Sequence, residues 1–543
     1  MPDLQQLASA LAGTEEKNAA IRPTAGDVKA AVNLKRSQPK DRFLYQIGDS
    51  VYWMEVWFWS GMSGYEPYPI PAAVIQQLVI EESLLSWSVT GYIVLESQHE
   101  SLFRGINDYD RFMSAPMVLR SDGRNRISIK IAPYMEDVAR NVELDPKLWE
   151  MQFDCVIYDT QDSTSNDAVM RYKTLYFKDE RHQIFLERNV EWTTSTQFYK
   201  KDSERGLKGT VAIANLINAV GQSAGSAAAV NVGYTEEGAI NTPDIPFSNI
   251  DLKRWDAGHE SNKIFNTSAA NHNALQDLNH LLQNTISSDR FPVILSMGRN
   301  SYDKYWRLLS LSYYYKNATK FQIETLIIDD GLENTTPRIP RGPDINSTTS
   351  TNFISKEASI ITNYNFVPMS PVDDLDIVNK PVVKFNFEKC QYEISMVANT
   401  AENLRNKIKD LSKGLYSTSD EVEGQVLLNV NRTKLAGLAT KPIFSPLTYT
   451  PNDIGLMEMV KDVTFLGNAL YFETKGLTFR TPGKFINLER HQYDQNPFDN
   501  QLLGQWLLTR VVHSFSKGVY KNNIWCNRFD AAGVVLKKDI APS

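Results

Sequence analysis

The segment Gly221-Gln222-Ser223-Ala224-Gly225 is the sharpest enzyme-like motif in the chain. Its G-x-S-x-G spacing matches the nucleophile elbow, in which a tight strand-to-helix turn presents a serine hydroxyl and the glycines let backbone approach closely. The residues before it, GTVAIANLINAV (209–220), have the texture of a helix, and SAAAVNVGY after it carries no amphipathic stripe. The motif therefore reads as a small-residue linker or packing patch. Histidines at 99, 182, 259, 272, 280, 491 and 513 form no H-x-x-x-H and no HExxH; His272 and His280 lie about two helical turns apart, too far for one metal. The acidic pairs Asp329–Asp330 and Asp373–Asp374 supply two carboxylates each, the minimum for glycoside hydrolysis. Neighbouring side chains project in different directions, however, and acidic pairs in loops are usually solvated. Convergence of distant carboxylates stays open. Cys155, Cys390 and Cys526 are far apart, odd in number and without a CxxC pair, which supports neither a disulfide framework nor a zinc ribbon. There is no P-loop and no Rossmann fingerprint. No catalytic, cofactor-binding or metal-binding residue is assigned, and no cofactor is expected.

The elements that must position any chemistry come next. At 543 residues the chain has length for roughly three or four units of about 150 residues. Its composition, 42% hydrophobic and 22% charged, is that of a globular protein, and 24 Tyr, 24 Phe and 10 Trp lean it toward half-buried pleated surfaces. A net charge of −7 with signs mixed throughout leaves no electrostatic footprint for nucleic acid. The apolar runs are too short to span a bilayer and MPDLQQLASALAGTEEKNAA lacks a secretory core, so the expectation is a cytosolic fold without membrane insertion. The sequons at Asn266, Asn317, Asn334, Asn346 and Asn431 then carry no weight.

Along the chain, residues 1–42 read as a flexible polar arm. Strands are expected at VYWMEVWFWS (51–60), within 74–97, within 116–133, at 149–159 and at 173–192. The Asp-Gly of RSDGRNR (120–126) is a hairpin signal, and Pro67, Pro69 and Pro71 work against ladder pairing. Helices are expected at 209–220, at 273–286 on a Leu275, Leu278, Leu282, Ile286 stripe, at 401–413 and at 453–468. Residues 331–352 form a Pro-spaced polar surface loop.

The C-terminal segment carries the most information. GLTFRTPGKFINLER (476–490) gives strand, Pro-Gly turn and strand; then 506–515 runs as one strand, Ser516-Lys517-Gly518 turns, and 519–529 returns. Period two puts Leu507, Thr509, Val511, His513 and Phe515 on one face, so His513 and Cys526 read as strand residues filling or flanking a barrel. This order resembles the C-terminal barrel of phage tail hub (baseplate hub) proteins, which share a fold with the hub part of type VI secretion spikes. In that family a helix leads to a strand ending in a Pro-Gly turn, followed by a W-x-V-x-x-V-x-H-x-F hairpin. Pro482, Gly483, Trp506, Val511, His513, Phe515 and Tyr520 match, while Leu508 replaces the first Val, over residues 455–529. The segments LLSWSVTGYIVLES to RSDGRNRISIKI and RFPVILSMGRNSYDKYWRLLSL resemble the family's first barrel and middle region.

The resemblance implies a β-rich α+β fold: two small hub-type β-barrels with helical and mixed insertions between them. It divides the chain into an arm 1–42, a first barrel 43–205, a mixed middle region 206–375 containing loop 331–352, a second barrel 376–530 with inserted helices 401–413 and 453–468, and a tail 531–543. It implies a structural virion protein, made in the host bacterial cytoplasm and placed at the tail tip or baseplate. Its expected partners are two further copies in a homotrimer, a central spike carried on a separate chain, the tail tube and other baseplate or wedge proteins. A tail-associated cell-wall or polysaccharide hydrolase is the chief alternative, and a receptor-binding tail protein the second.

Overall fold

In the structure, a computed structural model, the described residues are 43–47, 50–59, 68–97, 125–134, 149–164, 171–189, 207–223, 263–264, 272–285, 287, 291–297, 299, 306–328, 360–361, 363–367, 381–386, 391–396, 443–444, 465, 468–490 and 502–528. The expected arm, the loop 331–352, the helix 401–413, nearly all of the helix 453–468 and the tail 531–543 lie outside them.

Alternating apolar residues build the first eight strands: β1 (Leu44–Ile47), β2 (Ser50–Trp59), β3 (Tyr68–Ile70), β4 (Ile75–Ser83), β5 (Ser86–Ser97), β6 (Arg126–Pro133), β7 (Met151–Thr164) and β8 (Arg171–Asp179). The middle of the chain gives β9 (Leu207–Lys208), β10 (Lys263–Ile264), β11 (Val293–Met297), β12 (Trp306–Ser310), β13 (Gln322–Ile328), β14 (Ile360–Ile361) and β15 (Tyr364–Val367). The remainder gives β16 (Pro381–Asn386), β17 (Gln391–Met396), β18 (Ile443–Phe444), β19 (Asn468–Lys475), β20 (Phe485–Arg490), β21 (Gly504–Ser516) and β22 (Val519–Arg528). Helices are few: α1 (Glu180–Glu187), α2 (Gly209–Ser223), α3 (Ala274–Asn284), α4 (Leu311–Lys316) and α5 (Ala318–Phe321).

Fifteen of the strands form one sheet, whose main path runs β1-β2-β6-β7-β8-β5-β4-β21-β20-β13-β14, with β22, β19 and β15 branching from β21. Among the described residues that path does not close into a barrel. The branch point is β21. One of its edges pairs with β22 from Leu507 to Ser516. The other pairs first with β20, from Gly504 to Leu507, and then with β4, from Arg510 to Ser516. The change of partner falls at a bulge between Leu508 and Arg510. There the Thr509 carbonyl accepts from the Leu84 amide at 2.8 Å, and the Thr509 hydroxyl donates to Asn527 Oδ1 at 2.6 Å. A bulge inserts one residue and bends the strand, which is what a strand shared between two sheet segments requires. It also breaks the expected alternation: Trp506, Leu507, Leu508 and Thr509 are all buried, and only from Arg510 onward does the inner row reduce to Val511, His513 and Phe515.

One apolar core follows this sheet across both halves, running from Met54, Ile80 and Ile129 to Leu470, Trp506 and Ile524. A second core joins Trp87, Phe185 and Trp306 to Ile213, Leu216 and Ile217 of α2 and to Leu278 and Leu281 of α3. α3 starts with a capping box, Asn273 accepting from the Gln276 amide while Gln276 accepts from the Asn273 amide. This satisfies two donors that every helix start leaves open.

Three expected strands or turns come out differently. Residues 183–187 are helical, because the Asp179 carboxylate ends β8 and accepts the Arg181 amide as the N-cap of α1. β6 pairs with β2 on one edge and β7 on the other over Arg126–Ile131, and residues 116–124, which hold most of the expected hairpin, lie outside the described residues. The proline-rich segment does contribute β3, a three-residue strand at the sheet margin with Pro69 opposite Trp57, a place where proline is tolerated. Finally, GLTFRT (476–481) is not a strand: β19 stops at Lys475 and the backbone turns.

That turn ends at Pro482-Gly483, where Gly483 has φ +81° and an added Cβ would stand 3.0 Å from Tyr314 Cε1. Gly483→Ala is expected to cost about 1–2 kcal/mol, from left-handed backbone strain plus the contact, read as a lower denaturant midpoint at unchanged m-value.

Candidate functional site

Beyond one backbone bond, from the Gly476 amide to the Tyr520 carbonyl of β22, the GLTFRT segment is held by side chains, and these form a dense polar cluster. Period two in β4 sets Leu78, Ile80 and Glu82 on the buried face, so a carboxylate enters the core at the strand's end. The same rule in β21 brings in His513, and in β22 Tyr520, Asn522 and Ile524. Glu324 enters from β13 next to a register shift. Arg299, just past β11, and Arg480, within the turn, supply two guanidiniums.

Arg480 is fully buried and grips Glu324 with two parallel bonds, Nε to Oε1 at 2.6 Å and Nη2 to Oε2 at 2.9 Å. Its Nη1 donates to the Lys475 carbonyl at 2.7 Å and to Asn522 Oδ1 at 3.1 Å. Arg299 Nη1 donates to Glu82 Oε1 at 2.7 Å and to the Arg480 carbonyl at 3.1 Å, and its Nη2 donates to the Thr478 carbonyl. The Thr481 hydroxyl completes Glu82 at 2.9 Å, and the Thr478 hydroxyl donates to the Trp149 carbonyl at 2.7 Å. Arg299 alone thus touches β4 and the turn between β19 and β20, while its own carbonyl accepts the Gln152 amide of β7. Bidentate guanidinium–carboxylate geometry with satisfied remaining donors is the condition under which buried ions are tolerated.

His513 sits in the centre. Its Nδ1 lies 2.7 Å from the Tyr520 hydroxyl and 2.9 Å from Asn522 Nδ2. Its Nε2 lies 3.2 Å from Glu82 Oε1, off the line of a strong hydrogen bond. The amide of Asn522 is oriented by its other end, because Oδ1 accepts from the Leu477 amide at 2.7 Å as well as from Arg480. Nδ1 is therefore an acceptor, and the neutral imidazole carries its proton on Nε2, toward Glu82. Burial holds His513 below the usual imidazole range against the pull of Glu82, and Arg299 and Arg480 add to the depression. Burial by itself would raise the Glu82 carboxyl; Arg299 overrides it, with His513 and Thr481 assisting, and holds it at about 2. Burial pushes the Tyr520 phenol well up.

A carboxylate, an imidazole and a hydroxyl in series have the parts of a proton relay. This one is closed to substrate, since His513 is 0% and Tyr520 2% exposed. What it can do is fix the relative position of three parts of the chain. Sequence reasoning placed His513 and Cys526 correctly as inward strand residues but gave His513 no partner. Glu82, Arg299, Glu324, Arg480 and Asn522 were missed. The available signal was a polar residue at an inward position of an otherwise apolar row, as at Glu82.

The other singled-out residues lie apart. Ser223 ends α2, so a helix rather than a strand precedes it, and Ala224 and Gly225 lie outside the described residues. His272 Nδ1 stands 3.3 Å from Asp277 Oδ1 at the start of α3. His182 packs on Trp87 at 5.7 Å between centroids. Cys155 and Cys526 are buried, and burial raises both thiols. Asn317 follows α4 and donates to the Tyr313 carbonyl. His99, His259, His491, Cys390, both acidic pairs and the other four sequons lie outside the described residues. Among the described residues, no three His, Cys, Asp or Glu side chains are grouped to hold a metal, and no helix is long and apolar enough to cross a membrane.

Known proteins give a comparison for the fold. No protein-family model matches the chain, and neither does any curated protein sequence. Solved structures do. The structures it resembles are phage tail proteins and type VI secretion spikes. A tail protein from Neisseria meningitidis MC58 matches at 9% identity and TM-score 0.39, covering 89% of this chain and 97% of that one. The 43 kDa tail protein of prophage MuSo2 from Shewanella oneidensis matches at 9% identity and TM-score 0.40, covering 89% and 100%. The Francisella PdpA–VgrG complex in its lidded form matches at 8% identity and TM-score 0.40, covering 98% and 59%.

Proposed function

We propose that the chain is a structural virion protein: the trimeric hub of a phage tail or baseplate, joining a sixfold tail tube to a threefold central spike. The observation that carries this reading is the C-terminal order of Pro482-Gly483, Trp506, Val511, His513, Phe515 and Tyr520. In the structure these residues lie along the Pro-Gly turn and the β21–β22 hairpin, β21 being the strand that also pairs with β20 and β4. Each half contributes one hub-type barrel, 43–205 and 376–530, with 206–375 between them. Three copies then present six similar barrels to the tube and one threefold axis to the spike. Such a role lies in interfaces, which fits a polar centre sealed inside the subunit.

Sedimentation of the chain co-expressed with its neighbouring tail gene products tests this. The expected species has three times the 61.6 kDa chain mass, alone or on spike binding. A stable monomer with no affinity for spike or tube protein overturns the hub reading. Cell-wall zymography addresses the hydrolase alternative, and a clearing band that tracks the chain overturns the non-enzymatic part.

A further inference from the structure

The polar centre contains a group that reads a proton and a second group that must respond to it. Two carboxylates, Glu82 and Glu324, stand against two guanidiniums, Arg299 and Arg480, so the cluster is balanced only while His513 is neutral. The groups facing His513 are Glu82 from β4, Tyr520 and Asn522 from β22, Arg299 from just past β11 and Arg480 from the 476–483 turn. Tyr52 of β2 lies behind Tyr520 at 5.4 Å between ring centroids, and Glu324 of β13 lies behind Arg480. Arg510 on the same strand is turned outward and paired with Glu81 at 2.7 Å.

A second proton on His513 can only go to Nδ1, which at present accepts from Asn522 Nδ2 and the Tyr520 hydroxyl. The hydroxyl adapts by rotating, since it both donates and accepts. The amide cannot, because two N–H groups would then face each other. Turning Asn522 over offers Oδ1 to the new imidazolium proton, but the same turn points Nδ2 at the Leu477 amide and at Arg480 Nη1, both donors that now bond to Oδ1. One proton therefore moves an acceptor from one side of Asn522 to the other.

We propose that His513 and Asn522 form an acid-operated latch: proton uptake by His513 flips the Asn522 amide and releases the 476–483 turn from β22, while the sheet of the N-terminal half stays folded. The turn is the segment through which Arg299 ties the two halves together, so the latch controls their coupling. This inference stands on the side-chain geometry and does not require the hub reading.

Hydrogen–deuterium exchange of the full-length chain, corrected for the intrinsic effect of pH, tests it. Between pH 7.5 and 5.5, protection of peptides covering 476–484 is expected to fall by up to about tenfold, the most that one imidazole released to its ordinary range can supply, with peptides covering β6 and β7 unchanged. Asn522→Asp, which presents an acceptor oxygen to each side at once, is expected to keep the turn protected at pH 5.5. Where that variant does not fold, His513→Gln, which takes no proton, serves in its place and is expected to show a flat profile. Equal loss in the wild type and the folded variant, uniform loss over the whole chain, or no loss in the wild type each overturns the latch.

Discussion

Replacing Arg480 with methionine is expected to lower the unfolding free energy by about 3–5 kcal/mol, the cost of stranding a buried charge. The arithmetic of donors explains the size. Glu324 loses both of its bidentate bonds, and the Lys475 carbonyl and Asn522 Oδ1 each lose a charged donor. Methionine fills much of the volume, so the cavity contribution is small and the loss is electrostatic. The decisive comparison is with Arg480→Met combined with Glu324→Leu. Removing both ions leaves no uncompensated charge, and the double variant is expected to recover most of the loss, in line with buried pairs being weak net stabilisers but costly to break. Chemical denaturation of wild type, both single variants and the double closes the cycle. A double variant as unstable as the sum of the singles would mean that Arg480 acts through the turn carbonyls rather than through Glu324.

This pair also shows what the sequence could and could not reveal. Strands rich in alternating apolar residues were legible: β2, β4, β5, β7 and β22 fall where they were expected, and so does β21 beyond its bulge. The α2 and α3 helices were legible from texture and stripe. Three things were not. The helix at 180–187 has a cap, Asp179, that reads equally well as a strand-end residue. The turn 476–483 looks like a strand because Leu477 and Phe479 alternate, yet its backbone is held by Asn522, Arg299 and β22, which are 44 to 181 positions away. The polar centre itself joins residues 82, 299, 324, 480, 513 and 522, and no local window contains more than three of them. Single-sequence periodicity identifies which residues face inward, but pairing between inward polar residues is set by strand order. The bulge at Thr509, which lets β21 serve two partners, has no glycine or proline to announce it.

Arg299→Met should separate the two halves of the molecule rather than merely weaken it. Arg299 is the residue whose side chain meets β4 through Glu82 and the β19–β20 turn through the Thr478 and Arg480 carbonyls, while its backbone carbonyl meets β7. Removing it leaves Glu82 with Thr481 and an imidazole that faces it obliquely. The first consequence is a loss of about 3–5 kcal/mol at neutral pH, the general cost of breaking a buried ion pair from one side. The second is a change in pH dependence whose sign follows from the carboxyl. In the wild type the folded-state value of about 2 lies below that of the unfolded chain, so the contribution of Glu82 is complete above about pH 4.5 and is lost as pH falls toward 2. Across that window it amounts to about 3 kcal/mol. Without Arg299 burial is no longer overridden, the carboxyl rises, and Glu82 takes up a proton nearer neutrality. The acid side of the stability profile is then expected to flatten between pH 4.5 and 2. The third consequence concerns cooperativity. β21 still hydrogen-bonds to β4, but among the described residues the turn keeps only the Thr481–Glu82 hydrogen bond to that strand, so calorimetry of the variant is expected to resolve two transitions where the wild type shows one. A single transition with an unaltered acid limb would show that the shared strand, not the guanidinium, is what makes the halves fold as one.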